Sequence, residues 1–432
     1  MSFIPDDDVI KAFAPDSSDD AFCISVLPGA SRRNRSVTNA TSLNTAFECV
    51  TEFRVVVTDQ EPGRRVPGKG FVDLLSQPRR SRMRCRGQEN QVPSLQDAIF
   101  DRAANQFLGN TRQDLFEDNA LRAFVCGSAS PMPDPSRAKA CIGVIAGGKV
   151  YFVDTGPQSY GKVALWRIPV ERIGGILYTH FHSDHIADLG EFNMNSWILG
   201  RTAPLDVYGP PGVDRLVAGY SEAYALDQSY RTAHHGPEIA NPEVWKMVPQ
   251  TVVMPGEDAA GAHNRTAVVL ERDGLKITAI EVNHDPVSPA YGYRFDYKGR
   301  SLVISGDTAK HKSLSDSAKG ADVLFHEAQA QHMVQALKAV ADAKKNVRLS
   351  KILADIKSYH TSVTEAAEVA NDAGVKLLVL YHYTPAINNF VSEKIFLRGV
   401  NDARKGEWLL SKDGSLVELP LNSDVVKTSM VE

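Results

Sequence analysis

The chain has 432 residues, of which 43% are hydrophobic and 23% are charged, and its formal net charge is −4. This composition is typical of a globular protein with enough apolar material for a large core. The small negative charge gives no field that would by itself attract nucleic acid or an anionic membrane. An apolar run of about 18 residues, which a membrane-spanning helix would need, does not occur.

The start of the chain and its cysteines indicate a compartment. Residues 1–8 end in three aspartates and lack an apolar core segment, so they do not have the form of a secretory signal. The five cysteines are dispersed and include no C-x-x-C pair. Such a set argues against a disulfide framework and suits a reducing environment. We therefore expect a cytoplasmic protein that does not associate with membranes.

Residues 1–94 differ in character from the rest of the chain. An acidic stretch, Asp6–Asp20, precedes two basic ones, Arg32–Arg35 and Pro78–Arg86, and no sustained hydrophobic period appears. One interpretation is a basic arm that binds RNA or serves as a localisation signal. The other is a loosely ordered extension, for which Met83 would be a later start. The composition favours the second, so we predict a largely disordered extension over 1–94 and a folded domain over 95–432.

From Leu95 onward the hydrophobic pattern predicts regular elements. An amphipathic helix is expected over Leu95–Leu108, a strand over Ala120–Cys126 and a hairpin over Cys141–Asp154. The strand Gly175–Thr179 leads into a cluster of histidines. Further strands are predicted at Leu205–Tyr208, Ala267–Glu271, Lys276–Val282, Tyr291–Asp296, Ser301–Ile304, Val323–Phe325 and Leu377–Leu380. Helices are predicted at Val213–Tyr224, Ala328–Ala343 and Val363–Ala373. Runs of strands with helices between them, but without strict alternation, favour a layered α/β core of two sheets flanked by helices.

The cluster Thr179-His-Phe-His-Ser-Asp-His185 indicates a metal site. On an extended segment alternate residues share a face, so His180, His182 and Asp184 can point the same way while His185 joins from the turn. Imidazole and carboxylate donors that converge on one point suit Zn²⁺, Mn²⁺ or Fe²⁺. More donors should come from the ends of later strands. Candidates there are His284, Asp307, the pair His326-Glu327, and His382.

Taken together, these motifs resemble the metallo-β-lactamase fold. The features that carry the resemblance are H-x-H-x-D-H, Asp154-Thr-Gly156, the single His284, Ser305-Gly-Asp-Thr308 and the late His382. Within that superfamily the sequence is most similar to the branch of ribonuclease Z and the arylsulfatase-type hydrolases. The branch motifs are Phe325-His-Glu-Ala328, Tyr359-His-Thr-Ser362 followed by Glu365-Ala-Ala367, Ala290–Arg294 and Pro204–Gly212. The resemblance extends over roughly Ala120–Leu419 and implies a four-layer αββα sandwich.

The resemblance also implies a cofactor and a set of roles. It implies two divalent cations, with Zn²⁺ preferred and Mn²⁺ or Fe²⁺ as alternatives. The ligands of the first would be His180, His182 and His284; those of the second would be Asp184, His185 and His382, with Asp307 bridging. Two such ions, about 3.5–4 Å apart, can share a hydroxide that attacks the ester.

Three further roles follow from the same resemblance. Asp184 would also accept the proton of the attacking water, and His360 would protonate the leaving group. Glu327 would orient a histidine, as outer carboxylates do. The alternative for His360 is a structural residue at the start of the helix that runs through Glu365–Ala367.

The substrate is the least constrained expectation. Ribonuclease Z grips tRNA with a flexible arm rich in glycine and basic residues, whereas the segment Gly212–Asn264 of this chain is neither. The sequence therefore favours an arylsulfatase-like or phosphodiesterase-like hydrolase of a small sulfate or phosphate ester. A tRNA 3′-end endonuclease is the alternative, with phosphate contacts from the arginine-rich N-terminal segment. A third hypothesis, a metal-binding protein without turnover, is disfavoured by the complete ligand set. Relatives suggest a homodimer, but no segment of this chain demonstrates one.

Overall fold

The structure, a computed structural model, describes residues 92–109, 111–256 and 265–431. All of these belong to one unit, Gly87–Glu432. What the sequence predicts for residues 1–91 lies outside the described residues, so the domain boundary at residue 95 stays a prediction. Within the described ranges, no helix combines the length and the apolarity needed to cross a lipid bilayer.

The strands of the described residues form two sheets. In chain order they are β1 (Ala120–Gly127), β2 (Cys141–Ala146), β3 (Lys149–Val153), β4 (Ile173–Leu177), β5 (Leu205–Gly209), β6 (Met247–Thr251), β7 (Thr266–Arg272), β8 (Leu275–His284), β9 (Val287–Tyr297), β10 (Arg300–Ile304), β11 (Val323–Gln329), β12 (Leu377–Thr384), β13 (Glu407–Leu410), β14 (Ser415–Pro420) and β15 (Lys427–Met430). The first sheet has the order β15-β14-β1-β2-β3-β4-β5-β6, and the second has the order β13-β12-β11-β10-β9-β8-β7.

Some of the helices of the described residues pack on the outer faces of the two sheets, as described below. In chain order they are α1 (Val92–Gly109), α2 (Ser159–Leu165), α3 (Ser183–Ile186), α4 (Leu189–Ile198), α5 (Val213–Ala223), α6 (Ala225–His235), α7 (Pro242–Trp245), α8 (Lys312–Ser317), α9 (Gln331–Ala343), α10 (Val347–Asp355), α11 (Val363–Ala373), α12 (Phe390–Phe396) and α13 (Val400–Ala403).

The side-chain pattern of the central strands explains the layering. Successive residues of a strand point to opposite faces, and in β12 both faces are apolar. Leu377 and Val379 belong to the core between the two sheets, while Leu378 and Leu380 belong to a second core beneath α8 and α11. A third core packs the first sheet against α2, α4 and α5. Each fully buried side chain of this kind contributes about 1.5–3 kcal/mol to folding. The layers are therefore helix, sheet, sheet, helix, as the resemblance implies.

Strand direction determines where the functional residues meet. Strands β3 to β6 run parallel to one another in the first sheet, and β10 to β13 do so in the second. Parallel strands have their carboxyl ends at the same edge of a sheet, and ligands of α/β proteins bind outside that edge. The segments after β3, β4, β10, β11 and β12 are thus expected to form one site.

Two predictions about secondary structure need correction. The helix predicted from Ala328 begins at Gln331, because Ala328 and Gln329 still belong to β11 and pair with β12. Strands β6 and β13 to β15 were not predicted. They lie at or near the sheet edges; the residues of β15 are all exposed, and those of β6 are mostly so. Strands β6 and β15 therefore carry little of the apolar alternation by which strands are recognised, whereas β13 and β14 are more buried and were missed although they contain apolar residues.

The cysteine pattern argues against a disulfide framework, yet the described residues contain a disulfide. Cys126 and Cys141 form a disulfide, with Cα atoms 5.0 Å apart. The two residues are 15 positions apart in sequence but lie on neighbouring strands, where the register pairs Gly127 with Cys141. Strand register brings them together, and a dispersed cysteine pattern in the sequence does not reveal it.

Candidate metal centre

The histidine cluster lies where the first sheet gives way to a short helix. Strand β4 ends at Leu177, and α3 begins at Ser183 with Asp184 and His185 in its single turn. The prediction that Asp184 lies on an extended segment is wrong, because the backbone is extended at His182 but helical from Ser183 onward. The helical turn, rather than strand alternation, brings the last two donors to the same side.

Four of the predicted ligands form a first group. His180, His182, His284 and Asp307 each offer one atom, and these atoms all lie within 4.8 Å of one another. His180 Nε2 and His182 Nδ1 are 2.9 Å apart, and His284 Nε2 lies 3.4 Å from the same His182 atom. Three imidazole nitrogens that approach one point from three directions form a typical set of zinc ligands.

The other three predicted ligands, Asp184, His185 and His382, form a second group that is entirely buried. His382 Nε2 donates to Asp184 Oδ2 at 3.1 Å, and His185 Nε2 lies 3.5 Å from that oxygen. Asp307 stands between the two groups. Its Oδ2 is 3.4 Å from His185 Nε2 and 3.9 Å from His284 Nε2. The structure thus brings together all seven predicted ligands, with Asp307 between the two groups.

Local backbone geometry directs two of these donors. His382 has φ of 46°, and it falls at an irregularity of register where β12 has one residue more than β11. Such a bulge turns a side chain away from the regular sheet face, here toward the other donors. Gly306, which precedes Asp307, has φ of 62°, and a Cβ there would lie 2.4 Å from the Tyr291 carbonyl oxygen. Only glycine fits at this position, which explains the Ser-Gly-Asp order.

Unsatisfied polar atoms provide a test of whether a cation fits. His185 Nε2, His382 Nδ1 and Asp307 Oδ1 are buried and have no hydrogen-bond partner. Buried polar atoms in folded proteins are almost always satisfied, and these three converge on the space between the two ligand groups. His185 Nε2 comes within 3.4 Å of Asp307 Oδ2 without a hydrogen bond. Nitrogen and carboxylate donors arranged in this way fit one or more divalent cations.

The electrostatics of the two groups differ. Burial lowers the pKa of His180 well below its ordinary value, and burial lowers the pKa of His284 as well. Both imidazoles are therefore neutral, which is the form that binds a metal. For His185 burial acts in the same direction, but the charges of Asp307 and Asp154 raise its pKa well above the ordinary value. The first group thus holds neutral imidazoles, whereas the carboxylates around His185 favour its protonated form.

Hydrogen bonds behind the ligands fix their orientation. Asp154, directly after β3, accepts from His185 Nδ1 at 2.8 Å and from the Thr179 backbone N–H at 2.9 Å. His284 Nδ1 donates to the Tyr359 carbonyl oxygen at 3.0 Å. These contacts determine which ring nitrogen faces the other ligands. Asp154 belongs to the motif Asp154-Thr-Gly156 but was not predicted as a site residue; its place at the end of a buried strand was the available signal.

Glu327 and His360 form a buried pair beside the two groups. Glu327 Oε1 accepts from His360 Nδ1 at 2.9 Å and from the backbone N–H groups of Thr308 and Thr361 at 3.1 and 3.2 Å. Burial lowers the pKa of His360, but the charge and hydrogen bond of Glu327 outweigh this and raise it to about 9. His360 also lies within 4.8 Å of donor atoms of Asp307 and His382. It is therefore placed either to move a proton or to act as a ligand.

The other histidines of the described residues do not join the ligand groups. His326 Nδ1 donates to the Glu327 carbonyl oxygen, and its Nε2 is buried without a partner. His234 and His235 lie in the last turn of α6, and neither belongs to a ligand group. The motif His326-Glu327 thus contributes one site residue, the glutamate.

A cavity of about 380 Å³ opens onto the two groups. His182, Asp184, Asp307 and His360 form one side of it. Much of the remaining wall is apolar and is formed by Pro131, Met132, Leu349, Ile352, Leu353, Ile356 and Tyr359. A concave site with a few convergent polar groups and an apolar wall is the usual form of a substrate pocket.

Comparisons with known proteins agree with this geometry. Residues 150–383 match the family described as Beta-lactamase superfamily domain. Ribonuclease Z of Mycobacterium bovis (strain BCG / Pasteur 1173P2) is 35% identical over 271 residues, which are 62% of this chain and 87% of the relative. Ribonuclease Z of Mycolicibacterium paratuberculosis (strain ATCC BAA-968 / K-10) is 36% identical over 270 residues, with the same coverage. The crystal structure of human tRNase Z, short form, superimposes with a TM-score of 0.50 at 20% identity, covering 69% of this chain and 99% of that one; it shares the fold.

Proposed function

Because the chain belongs to the metallo-β-lactamase superfamily and to its ribonuclease Z branch, and is a metal-dependent hydrolase of ester bonds, we propose that it cleaves phosphodiester bonds in RNA as a ribonuclease Z-type endonuclease. The observation that carries this proposal is similarity over 87% of the length of proteins named ribonuclease Z, in a chain that brings both ligand groups together. The preference of the sequence analysis for a small sulfate or phosphate ester over RNA receives no support from these relatives.

The proposal includes two divalent cations, with Zn²⁺ favoured by the three-histidine group. His180, His182 and His284 would hold the first, Asp184, His185 and His382 the second, and Asp307 both. Bound cations of this kind supply Lewis acidity toward a phosphoryl oxygen and lower the pKa of water. The three unsatisfied buried atoms of His185, His382 and Asp307 support this assignment. Without a cation, each atom would be buried without a hydrogen-bond partner, which costs free energy.

Asp184 is the proposed acceptor of the proton that the attacking water releases. Burial would raise the pKa of its carboxyl, but the charge of His185 and the hydrogen bond from His382 lower it to about 2. The carboxylate is therefore ionised at neutral pH and able to accept a proton. It also lines the cavity, so it lies within reach of a water molecule bound there.

His360 is the proposed donor of a proton to the leaving oxygen. Its Nδ1–H is held by Glu327, so the Nε2 edge of the ring is left for the cavity that His360 lines. Glu327 keeps the imidazole in the protonated form and cannot itself rotate away, because two backbone N–H groups also bind its Oε1. An acid fixed in this way can protonate an alkoxide leaving group as the ester bond breaks.

The second candidate is the hydrolysis of a small aryl phosphate or sulfate ester. The cavity lining, which contains no lysine or arginine, favours it. So does the composition of the segment from Val213 to Gly256, in which three lysines and arginines stand against five aspartates and glutamates. In the described part of the chain this segment folds as α5, α6, α7 and β6, and it does not provide a basic arm.

A substrate panel tests the proposal. The metal-loaded protein is assayed with a precursor tRNA transcript that carries a 3′ extension, with bis(p-nitrophenyl) phosphate and with p-nitrophenyl sulfate. We expect a single cut in the transcript and measurable hydrolysis of the phosphodiester. Turnover of the sulfate with an intact transcript would overturn the proposal in favour of the second candidate. A titration with salt distinguishes the two further, since RNA binding weakens steeply as salt rises.

A further inference from the structure

The helical hairpin formed by α9 and α10 (residues 331–358) is inserted between two site residues. Glu327 precedes it on β11, and His360 follows it, so both ends of the hairpin lie at the metal centre. Gln329 Nε2 donates to the Ile356 carbonyl oxygen at 3.1 Å across the base of the hairpin. The Tyr359 carbonyl oxygen accepts from the metal-centre residue His284. The hairpin is therefore fixed at the mouth of the cavity.

The hairpin has a small core of its own. Val334 and Ala341 of α9 pack against Leu353 of α10, with Ile356 beside them. This cluster is separate from the three large cores of the sandwich. The outer surface of the hairpin is therefore not needed for packing against the sandwich, and it is rich in lysine and arginine.

The charge of the hairpin is opposite in sign to that of the chain. Residues 331–358 contain six lysines and arginines and two aspartates, whereas the whole chain has a net charge of −4. The two aspartates pair with lysines one turn away, Lys338 with Asp342 at 2.8 Å and Lys351 with Asp355 at 2.5 Å. The other four cations have no carboxylate partner in the part of the chain that the structure describes; they are Lys344, Lys345, Arg348 and Lys357.

The side of the hairpin that faces the cavity is apolar. Leu349 and Ile352 line the cavity, yet they remain 42% and 50% exposed. Apolar side chains that line a concave site beside convergent polar groups mark a surface that binds a partner. Arg348 immediately precedes Leu349, and Lys351 precedes Ile352, so each apolar contact has a cation as its neighbour in sequence.

We propose that this hairpin is the element that grips RNA, in place of the arm that the segment after β5 does not provide. Its cations contact backbone phosphates outside the cavity, and Leu349 and Ile352 contact the base next to the phosphate that is cut. The inference rests on the proposed function. RNA is the partner that matches both properties, because each nucleotide carries one negative charge and one flat apolar base. A small aryl ester fits the cavity but does not extend to cations on the outer surface.

The test compares two triple variants of the full-length, metal-loaded protein. One is Lys344→Gln, Lys345→Gln and Arg348→Gln. The matched control is Lys149→Gln, Lys276→Gln and Lys405→Gln. It removes three cations at or just before the starts of β3, β8 and β13, at the end of the sandwich opposite to the metal centre. Binding of the precursor tRNA transcript is measured against salt concentration, and its cleavage is compared with that of bis(p-nitrophenyl) phosphate.

If all three hairpin cations contact phosphates, the slope of log affinity against log salt falls by about 2 in magnitude, which is about 100-fold in affinity at 0.1 M salt. The ratio of transcript cleavage to phosphodiester cleavage falls by a similar factor, and the control variant changes neither quantity by that amount. A second comparison uses Ile352→Ser, with Val340→Ser as its control, because Val340 is 53% exposed on the same hairpin but does not line the cavity. Ile352→Ser alone should raise KM for the transcript, by about fivefold.

Two negative results are distinguishable. If the unaltered protein cuts the transcript and both triple variants behave alike, the hairpin proposal is overturned and the proposed function stands. If the unaltered protein neither binds nor cuts the transcript but hydrolyses the aryl esters, the proposed function is overturned, and the hairpin proposal falls with it.

Discussion

Replacement of Asp154 by asparagine should loosen the metal centre while leaving every proposed ligand in place. The carboxylate accepts from three donors at once: His185 Nδ1 at 2.8 Å, the Thr179 N–H at 2.9 Å and the Thr179 hydroxyl at 2.9 Å. Asparagine has the same shape but only one acceptor oxygen, and its amide nitrogen is itself a donor. At least one buried N–H would therefore face another N–H, and His185 would lose the partner that fixes its tautomer.

The expected magnitude follows from these contacts. An unsatisfied buried donor costs about 1–3 kcal/mol, so the metal-free variant should unfold at a lower urea concentration than the unaltered protein. Loss of an outer partner of a metal-binding histidine typically weakens metal affinity by about 10- to 100-fold. That factor corresponds to about 1.4–2.7 kcal/mol, and it concerns the second ligand group, to which His185 belongs.

Competition with a chelator of known affinity measures the metal affinity, and urea unfolding measures the stability. The control is Asp296→Asn, the same substitution at a carboxylate that is 38% exposed and pairs with Arg294 on the surface. There the expected loss of stability is below about 1 kcal/mol, with no change in metal affinity. If Asp154→Asn holds metal as tightly as the unaltered protein, then the hydrogen bond to His185 does not organise the site, and the outer ligand network described above is wrong.

Three further predictions concern the bridge, the acid and the disulfide. Asp307→Ala should abolish phosphodiester hydrolysis and reduce bound metal, as measured by elemental analysis, while circular dichroism shows a folded protein; unchanged turnover would eliminate the two-cation assignment. His360→Ala should slow a substrate with an alkoxide leaving group by about 100-fold or more, and bis(p-nitrophenyl) phosphate far less. An equal loss on both would show that His360 is not the acid. Reduction of the disulfide between Cys126 and Cys141 removes a cross-link over 15 residues and should lower the free energy of unfolding by about 3 kcal/mol. Thiol titration shows whether the bond is formed before the reductant is added. An unfolding midpoint that does not change on reduction would contradict the prediction.

Much of the fold was accessible from the sequence because the central strands are buried on both faces. Strands β2, β3, β10 and β12 were predicted within a few residues of their observed bounds, since glycine, aspartate or histidine follows each apolar run within two residues. The same strand ends marked the seven proposed ligands. Strand ends that point to one edge of a sheet gather residues from distant parts of the chain, so a list of strand-end donors already outlines the site.

What the sequence did not reveal depends on tertiary contacts. The strand-end position of Asp154 marks it as a candidate site residue, but nothing in the local sequence shows that its carboxylate orients His185. The disulfide depends on the register of β1 and β2. The strands at the sheet edges form because they pair with neighbouring strands, and their own side-chain pattern does not predict this pairing. Helix α10 was not predicted, because its apolar residues face a cavity and a small local cluster rather than the main core. The basic surface of the hairpin became apparent only when its position beside His360 was known.

The proposed ligands come from both halves of the sandwich: His180, His182, Asp184 and His185 follow a strand of one sheet, while His284, Asp307 and His382 lie on or after strands of the other. A cation bound between them would therefore cross-link the two sheets at one end of the sandwich. The sheets cannot separate without releasing it, so loading should raise the melting temperature in proportion to the logarithm of the free metal concentration. For this protein, starvation for metal would then threaten not only turnover but also the lifetime of the folded chain.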